Sequence, residues 1–486
     1  MKQVAAEDKV PFLQKIAYSS AAPIDWFSVG LATAVLWMPI WNIAYGVSPA
    51  ILGIILLIYR GWDAIADPIM GNISDNTRTR WGRRRPYIFV GAILTAILLP
   101  VLWNPPAGLV DWTPNLPFLG EDHQVNGLVI YLTVVGLFLF TAFTVWAMPY
   151  YSLMLEMTPD YDERTRVAGY RTAITKVGVF VGGWVLALAS LDYFIDPATG
   201  EPDVKHGMGV VSFGLAALVL ILGILPAIFV KERYYKKEAA QQQKISFWKG
   251  IRETVKIKPF WLLCGFIFLF MFGNGVVSKL GIYLNIYFVN DGELQKSYII
   301  EGWKGTVAAV VGICTIPLWT WICEKYDKKW AMFIILVSGF IGAGLNYVCL
   351  QPDYPYLQLV PVAFNAGVIG AMWLIVPSMQ ADIVDYDEKT THQRREGSIN
   401  SIFSWFLKMA FTLSAGVSGF IIEATGFDVS VGSEQPPEVL TRMLLFFVLI
   451  PLAFWGVSAW LMWIYPLNRQ KMHAIRTELE TRRGKL

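Results

Sequence analysis

An all-α membrane protein with twelve transmembrane helices in two six-helix bundles is the fold class this sequence predicts, on three observations. The chain of 486 residues is 55% hydrophobic and only 16% charged, with a mean hydropathy of +0.47. A soluble protein of this length needs far more polar surface. Windows of about 20 apolar residues, enough to cross a hydrocarbon core of roughly 30 Å as helix, recur along the whole chain. Between them, basic and Lys/Arg-poor connections alternate.

The first six windows lie near 16–45, 49–73, 86–104, 127–155, 170–191 and 208–230. The second six lie near 259–288, 303–323, 330–350, 356–380, 399–423 and 441–465. Even connections are basic: Arg78, Arg80, Arg83, Arg84 and Arg85 follow span 2, and Arg164 and Arg166 follow span 4. Lys325, Lys328 and Lys329 follow span 8, and Arg394 and Arg395 follow span 10. The connection at 105–126 has no Lys or Arg and carries Asp111, Glu121 and Asp122. By the positive-inside rule, both termini and all even connections are cytoplasmic. The expected location is a plasma membrane, of the bacterial inner-membrane kind. Glu7 and Asp8 among the N-terminal lysines, and a first apolar run too long for a signal segment, argue against a secretory leader.

The polar, basic stretch 231–258 divides the spans six and six. It reads as a cytoplasmic linker helix between an N-terminal bundle, 1–230, and a C-terminal bundle with a cytoplasmic tail, 259–486. Two such halves suggest a duplicated transporter fold. The basic turn after span 2 has a weak echo in EKYDKKW, 324–330, after span 8. The four cysteines, Cys264, Cys314, Cys323 and Cys349, fall in or beside apolar runs and form no disulfide or metal-binding pattern. His123, His206, His392 and His473 all sit in polar stretches, which argues against a histidine-ligated metal or an intramembrane histidine relay.

Charges at membrane depth cost roughly 2.5–3.5 kcal/mol each and call for a reason. Span 2 carries Arg60, Asp63 and Asp67. The two acids are i,i+4 and share one helix face, Arg60 is placed to pair with Asp63, and Pro68 loosens the helix beside Asp67. Two carboxylates a turn apart repel unless a cation joins them, and Na⁺ or a proton suits that oxygen-rich arrangement. The structural alternative is an Arg60–Asp63 pair with Asp67 as a packing partner. Asp25 lies in span 1 at a depth similar to Asp67; Arg171 and Lys176 begin span 5, Lys279 is in span 7 and Lys408 in span 11. Asp382 and Asp385 end span 10 and read as a cytoplasmic network. Most of the aromatics are interface belts or packing. Tyr151, Trp373 and Trp405 are deep enough to stack on the apolar face of a sugar.

The stretch WDAIADPIMG (62–71), followed by DNTRTRWGRRRP (75–86), resembles the glycoside–pentoside–hexuronide:cation symporters of the major facilitator superfamily, whose best-known member is the melibiose permease. ADIVDYDE (381–388) is a second matching region, and the resemblance covers nearly the whole chain. It implies a cation site at Asp63, Asp67 and Thr144, and solute contacts at Asp25, Tyr151, Arg171, Trp373, Ser404 and Lys408. Two positions depart from the melibiose permease: Ala147 replaces a sugar-binding aspartate and Ile24 replaces a lysine. These changes disfavour a galactoside and leave Arg171 less neutralised.

The expected function is cation-coupled symport of a sugar, glycoside or sugar acid by alternating access, with Na⁺ or H⁺ as coupling ion and no cofactor. Expected partners are the solute, the cation and membrane lipid; nucleic acid is not expected, and the protein is expected to be a monomer. The alternatives are a sodium-dependent lysophospholipid carrier and a non-transporting nutrient sensor. An enzyme is not expected, because no catalytic constellation is found. In a background without the native cysteines, a cysteine at position 115 is expected to react with an impermeant thiol reagent from outside the cell. Labelling from the cytoplasmic side alone would reverse the orientation.

Overall fold

The computed structural model describes residues 9–113, 126–158, 161–197, 200, 202–232, 257–391 and 396–483. Most of the predicted linker, 233–256, lies outside them, as do Glu7, Asp8, Glu121, Asp122, His123, His392, Arg394 and Arg395. Among the described residues no β-strand forms, and the predicted all-helical architecture is present. Among the described residues, eleven helices are long and apolar enough to cross a membrane. The twelfth pass is the first, whose longest apolar piece, Trp26–Leu36, is shorter.

That pass starts as α1 (Phe12–Ser19), turns at Pro23, and continues in wide π-helical turns over Trp26–Gly30, Ala32–Leu36 and Pro39–Ala44. Pro23 and Pro39 lack the N–H that a regular helix needs, and Ser28 and Thr33 return their hydroxyls to the carbonyls of Ile24 and Val29. The rest of the first half comprises α2 (Pro49–Asn76), α3 (Arg85–Trp103), α4 (Gly127–Met157), α5 (Tyr161–Gly183, continued by Val185–Ala189) and α6 (Val204–Phe229). In the second half, α7 (Lys258–Val277) runs on through Leu280–Tyr283 and π-helical Leu284–Val289. It is followed by α8 (Leu294–Cys314, then Ile316–Lys325), α9 (Lys328–Cys349), α10 (Leu359–Thr391), α11 (Glu396–Ala424) and α12 (Pro437–Trp463). A polar helix not foreseen in the sequence, α13 (Arg469–Arg483), closes the described chain.

Several helices outrun their apolar windows. Asp382 and Asp385 sit within α10 because that helix runs on to Thr391, and α8 gains polar first turns from Gln295, Lys296 and Ser297. All four cysteines are free thiols.

Two compact units form, one of Met1–Gln242 with Leu294–Gly305, the other of Gln243–Glu293 with Thr306–Leu486. In the first, α3 packs on α4 and α6, and α2 packs on α4. Its core is aromatic: Trp37, Trp41, Trp103, Trp146, Tyr59 and Tyr150 are fully buried, with Trp41 stacked on Trp103 at 5.4 Å. The outer face of α2 is a stripe of exposed Ile54, Ile58, Trp62, Ile65, Ile69 and Ile73, spaced three and four apart. A row of large apolar side chains at that spacing is what a lipid-facing helix presents. The start of α8 belongs to this unit because Gly183 and Gly305 bring two backbones together, and a Cβ on Gly305 would stand 2.8 Å from the Gly183 Cα. In the second unit, α7 packs on α11 and α12 and α9 on α10, around Phe260, Phe266, Phe270, Ile335, Met372 and Trp455.

Close approach of α3 and α4 depends on Gly91, where a Cβ would come within 2.5 Å of the Trp146 backbone nitrogen. Gly91→Val is expected to destabilise the protein by about 1–3 kcal/mol. Gly61→Val, at a position with nothing within 4 Å, serves as the control. Thermal unfolding in detergent reads the difference, and equal midpoints would refute the close contact.

Candidate functional site

Six of the nine predicted site residues lie in the first unit and gather into two groups. On α2, Asp63 and Asp67 face away from the isoleucine stripe, both partly buried. Thr144, buried on α4, donates its Oγ1 hydroxyl to Asp67 Oδ1 at 3.0 Å. Arg60 Nη1 donates to Asp63 Oδ2 at 3.3 Å, and its guanidinium lies 5.7 Å from the centre of the Phe140 ring. The Arg60–Asp63 pair and the Thr144–Asp67 bond therefore coexist, with the two acids one turn apart on α2. Pro68 leaves the carbonyl of Ala64 without its helical N–H partner. One turn nearer the start of α2, Trp62 Nε1 donates to Thr141 Oγ1 at 2.8 Å, a second α2–α4 tie that sequence reasoning missed.

Among the described residues no three His, Cys, Asp or Glu side chains form a metal-ligand set. What α2 and α4 offer is two carboxylates and a hydroxyl. Such a donor set suits a hard monovalent cation or a proton and lacks the nitrogen and sulfur ligands of transition-metal sites.

In the second group, Tyr151 on α4 donates its hydroxyl to Asp25 Oδ1 at 2.7 Å. Arg171 on α5 approaches Asp25 Oδ2 with Nη2 at 3.5 Å and lies over the rings of Tyr151 and Tyr150 at 5.2 and 5.8 Å. Asp25 and Arg171 therefore meet, across pass 1 and α5. Asp25 is the acid that faces Arg171, and no acid stands at Ala147. Arg171 Nε is buried and has no hydrogen-bond partner among the described residues. Ala147 is fully buried, and Ile24 packs toward Gly223 on α6.

The meeting of α1 with α5 is fixed at their polar ends. Lys15 Nζ reaches Glu163 Oε1 at 2.6 Å, and the Val10 N–H donates to the same oxygen at 2.9 Å. Burial pushes the Glu163 carboxyl up, but the Lys15 and Val10 hydrogen bonds and the Lys15 and Arg166 charges hold it below the usual carboxylate range. Glu163 is thus an anion that clamps α1 to α5 two turns before Asp25 meets Arg171.

The other three predicted residues are in the second unit. Trp373 and Ser404 line one cavity of 230 Å³ between α7, α10 and α11. Lys408, one turn beyond Ser404, is exposed and does not line it. Gln380 and Asn400 also line the cavity and were not foreseen. Their spacing carried the signal: Gln380 is two turns from Trp373 on α10, and Asn400 one turn from Ser404 on α11.

Residues 18–469 match the family described as MFS/sugar transport protein. The chain belongs to that family. It is 25% identical to a putative glycoside/cation symporter of Escherichia coli, across 92% of this chain and 90% of the relative. It is 26% identical to a glucuronide carrier protein homolog of the same organism, across 90% and 89%. A sodium-dependent lysophosphatidylcholine symporter of Danio rerio is 25% identical across 90% and 83%. The fold matches the crystal structure of a D-xylose-proton symporter with a TM-score of 0.58 at 14% identity, covering 91% of this chain and 96% of that one. This MFS protein is therefore a multi-pass membrane transporter and not an enzyme.

Arg171→Lys keeps the positive charge and removes the planar fork. Solute affinity is expected to fall about ten-fold, the loss of one hydrogen bond from a charged donor at roughly 1.5 kcal/mol. Calorimetric titration of the purified protein measures it. Unchanged affinity would leave Arg171 a structural tie between α1, α4 and α5.

Proposed function

We propose that this transporter couples inward movement of a monovalent cation, Na⁺ or H⁺, to uptake of a sugar, glycoside or sugar acid. The observation that carries the proposal is the placement of Asp63 and Asp67 on one face of a membrane span, with the Thr144 hydroxyl 3.0 Å from Asp67. Fixed carboxylates at that depth are retained at a cost, and a coupling cation gives them a use. Bound there, the cation joins the two acids, and Thr144 turns a lone pair toward it. Arg60 competes for Asp63, so cation binding loosens the Arg60–Asp63 pair. Coupling follows if the cation-loaded form binds solute more tightly, because a ligand shifts an equilibrium only by its differential affinity.

Asp25, Tyr151 and Arg171 are the proposed solute contacts in the first unit, and Trp373 and Ser404 in the second, with Lys408 as an additional contact. A carboxylate orders sugar hydroxyls by accepting from them, while a guanidinium donates to hydroxyls or to an acid group. The named glycoside/cation symporter and glucuronide carrier among the relatives support a sugar-type cargo. The lysophosphatidylcholine symporters support a second reading, with a lysophospholipid as cargo on the same cation site. Both termini are proposed to be cytoplasmic.

Proteoliposomes loaded under an imposed Na⁺ or H⁺ gradient decide the matter. Asp67→Asn is expected to abolish gradient-driven accumulation while solute exchange survives in part. Full accumulation by that variant would overturn the cation site, and competition by lysophosphatidylcholine but by no sugar would favour the second reading.

A further inference from the structure

Away from the transport residues, α9 starts beside two cavities that share Tyr326. The first, of 270 Å³, lies where α8 gives way to α9 and α12 gives way to α13. Lys328, Lys329, Arg469 and His473 line it, together with Asp327 and Asp382. Both acids are already engaged: Lys328 Nζ reaches Asp382 at 2.6 Å, and Asp327 accepts the backbone N–H of Lys329 and Arg469 at 3.2 and 2.7 Å. Lys329 Nζ donates to two neutral carbonyls, those of Trp463 and Tyr465, and Asp327 is the carboxylate whose charge acts on it. The N-termini of α9 and α13 both open here, which adds positive potential. Tyr465 lines the same cavity at 3% exposure, and its hydroxyl has no hydrogen-bond partner among the described residues. A buried hydroxyl of that kind calls for an acceptor.

The second cavity is an apolar groove of 530 Å³ on the outer face of α9, lined by Tyr326, Trp330, Phe333, Ile334 and Val337. Trp330, Ile334 and Val337 are exposed along it, and the rings of Trp330 and Trp463 meet edge to face at 6.4 Å above it. Tryptophans at that level mark the boundary between hydrocarbon and headgroups.

We propose that the two cavities are one binding site for an anionic glycerophospholipid of the surrounding bilayer, distinct from the transported solute. Its phosphate lies among Lys329, Arg469 and His473 and accepts the Tyr465 hydroxyl. Its acyl chain lies along Trp330, Ile334 and Val337. Charge selects the headgroup: Lys328 and Asp382 pair with one another, which leaves Lys329, Arg469 and His473 lining the cavity against Asp327. The groove selects a lipid over a water-soluble phosphate. One water takes about 30 Å³, so the basic cavity has room for a phosphate ester and its glycerol. Basic pockets at the cytoplasmic ends of membrane helices hold anionic headgroups by this chemistry.

Native mass spectrometry of the full chain in detergent, with phosphatidylglycerol or phosphatidylcholine of matched chains added separately, tests the site. Phosphatidylglycerol adducts are expected to survive collision energies that strip phosphatidylcholine. Arg469→Gln is expected to lower the phosphatidylglycerol-bound fraction about five-fold, the effect of one basic residue at the lipid surface, while Arg469→Lys retains it. Val337→Trp fills the groove from an exposed position and is expected to reduce binding without shifting the unfolding midpoint. Glycerol 1-phosphate is expected not to displace the lipid. Equal retention of the two lipids, wild-type binding by Arg469→Gln and by Val337→Trp, or displacement by glycerol 1-phosphate each overturns the proposal, the last by reducing the site to a soluble-anion pocket.

Discussion

Glu156, at the end of α4, is a carboxylate with 1% of its side chain exposed, and the polar end of the first unit is arranged around it. An ion taken out of water costs several kcal/mol unless partners replace the lost hydration. Arg83 and Arg84 both donate to its Oε1, and Arg84 continues to Asp75 at 2.6 Å and Ser74 at 3.2 Å at the end of α2. One carboxylate thereby fixes the ends of α2, α3 and α4 to one another. Glu232, beyond α6, accepts the backbone N–H groups of Arg83, Arg84 and Arg85 at 2.8, 2.9 and 3.2 Å and so caps α3. Gly82 precedes them with a φ of +111°, and a Cβ there would overlap the Glu232 carboxylate. Register between α2 and α4, which brings Asp67 to Thr144, depends on this knot and on the Trp62–Thr141 bond.

The second unit repeats the plan with other residues. Lys328 at the start of α9 takes the part of Arg83 and Arg84, and Asp382 on α10 takes the part of Glu156 on α4. Asp327 ties the start of α9 to the residue that opens α13, as Glu232 ties the start of α3 to the segment after α6. Among the described residues, pass 1 and pass 7 are also the two that widen into π-helical turns. These correspondences join helices 3 with 9, 4 with 10, 6 with 12 and 1 with 7. A duplicated six-helix unit accounts for all of them. The two knots differ in their surroundings: Arg83 and Arg84 converge on Glu156 and are themselves held by Asp75 and Glu232, whereas the Lys328–Asp382 pair lines a cavity.

What could be read from the sequence follows from what each signal depends on. Membrane spans depend on local composition, so their number and order were legible in windows of apolar residues, and the EKYDKKW echo carried the repeat. Helix ends were not legible. Polar turns of α8 and α10 extend past the apolar windows because backbone hydrogen bonding continues beyond the hydrocarbon. The distortion of pass 1 was hidden because hydropathy does not register Pro23 and Pro39. Asp63 and Asp67 share a face through helix periodicity alone and could be foreseen. The meeting of Asp25 with Arg171 needed the Lys15–Glu163 clamp, a contact across 148 residues of sequence that no local pattern encodes.

The Asp25–Arg171 contact also bears on the solute. At 3.5 Å through one Nη, it is longer than the roughly 2.7–2.9 Å of a strong charge-assisted pair and leaves the guanidinium fork unmatched. Tyr151 holds the other Asp25 oxygen at 2.7 Å, so Asp25 is fixed while Arg171 is held more by ring faces than by its counter-ion. In the proposed reading, a neutral glycoside places a hydroxyl between the two, donating to Asp25 and accepting from Arg171. A sugar acid instead engages the fork with both carboxylate oxygens and turns Arg171 from Asp25, whose charge then repels the newcomer. The first arrangement uses both fixed partners and adds no like-charge contact. Within the proposed function, the first arrangement is the one that suits a neutral glycoside and the second the one that suits a sugar acid.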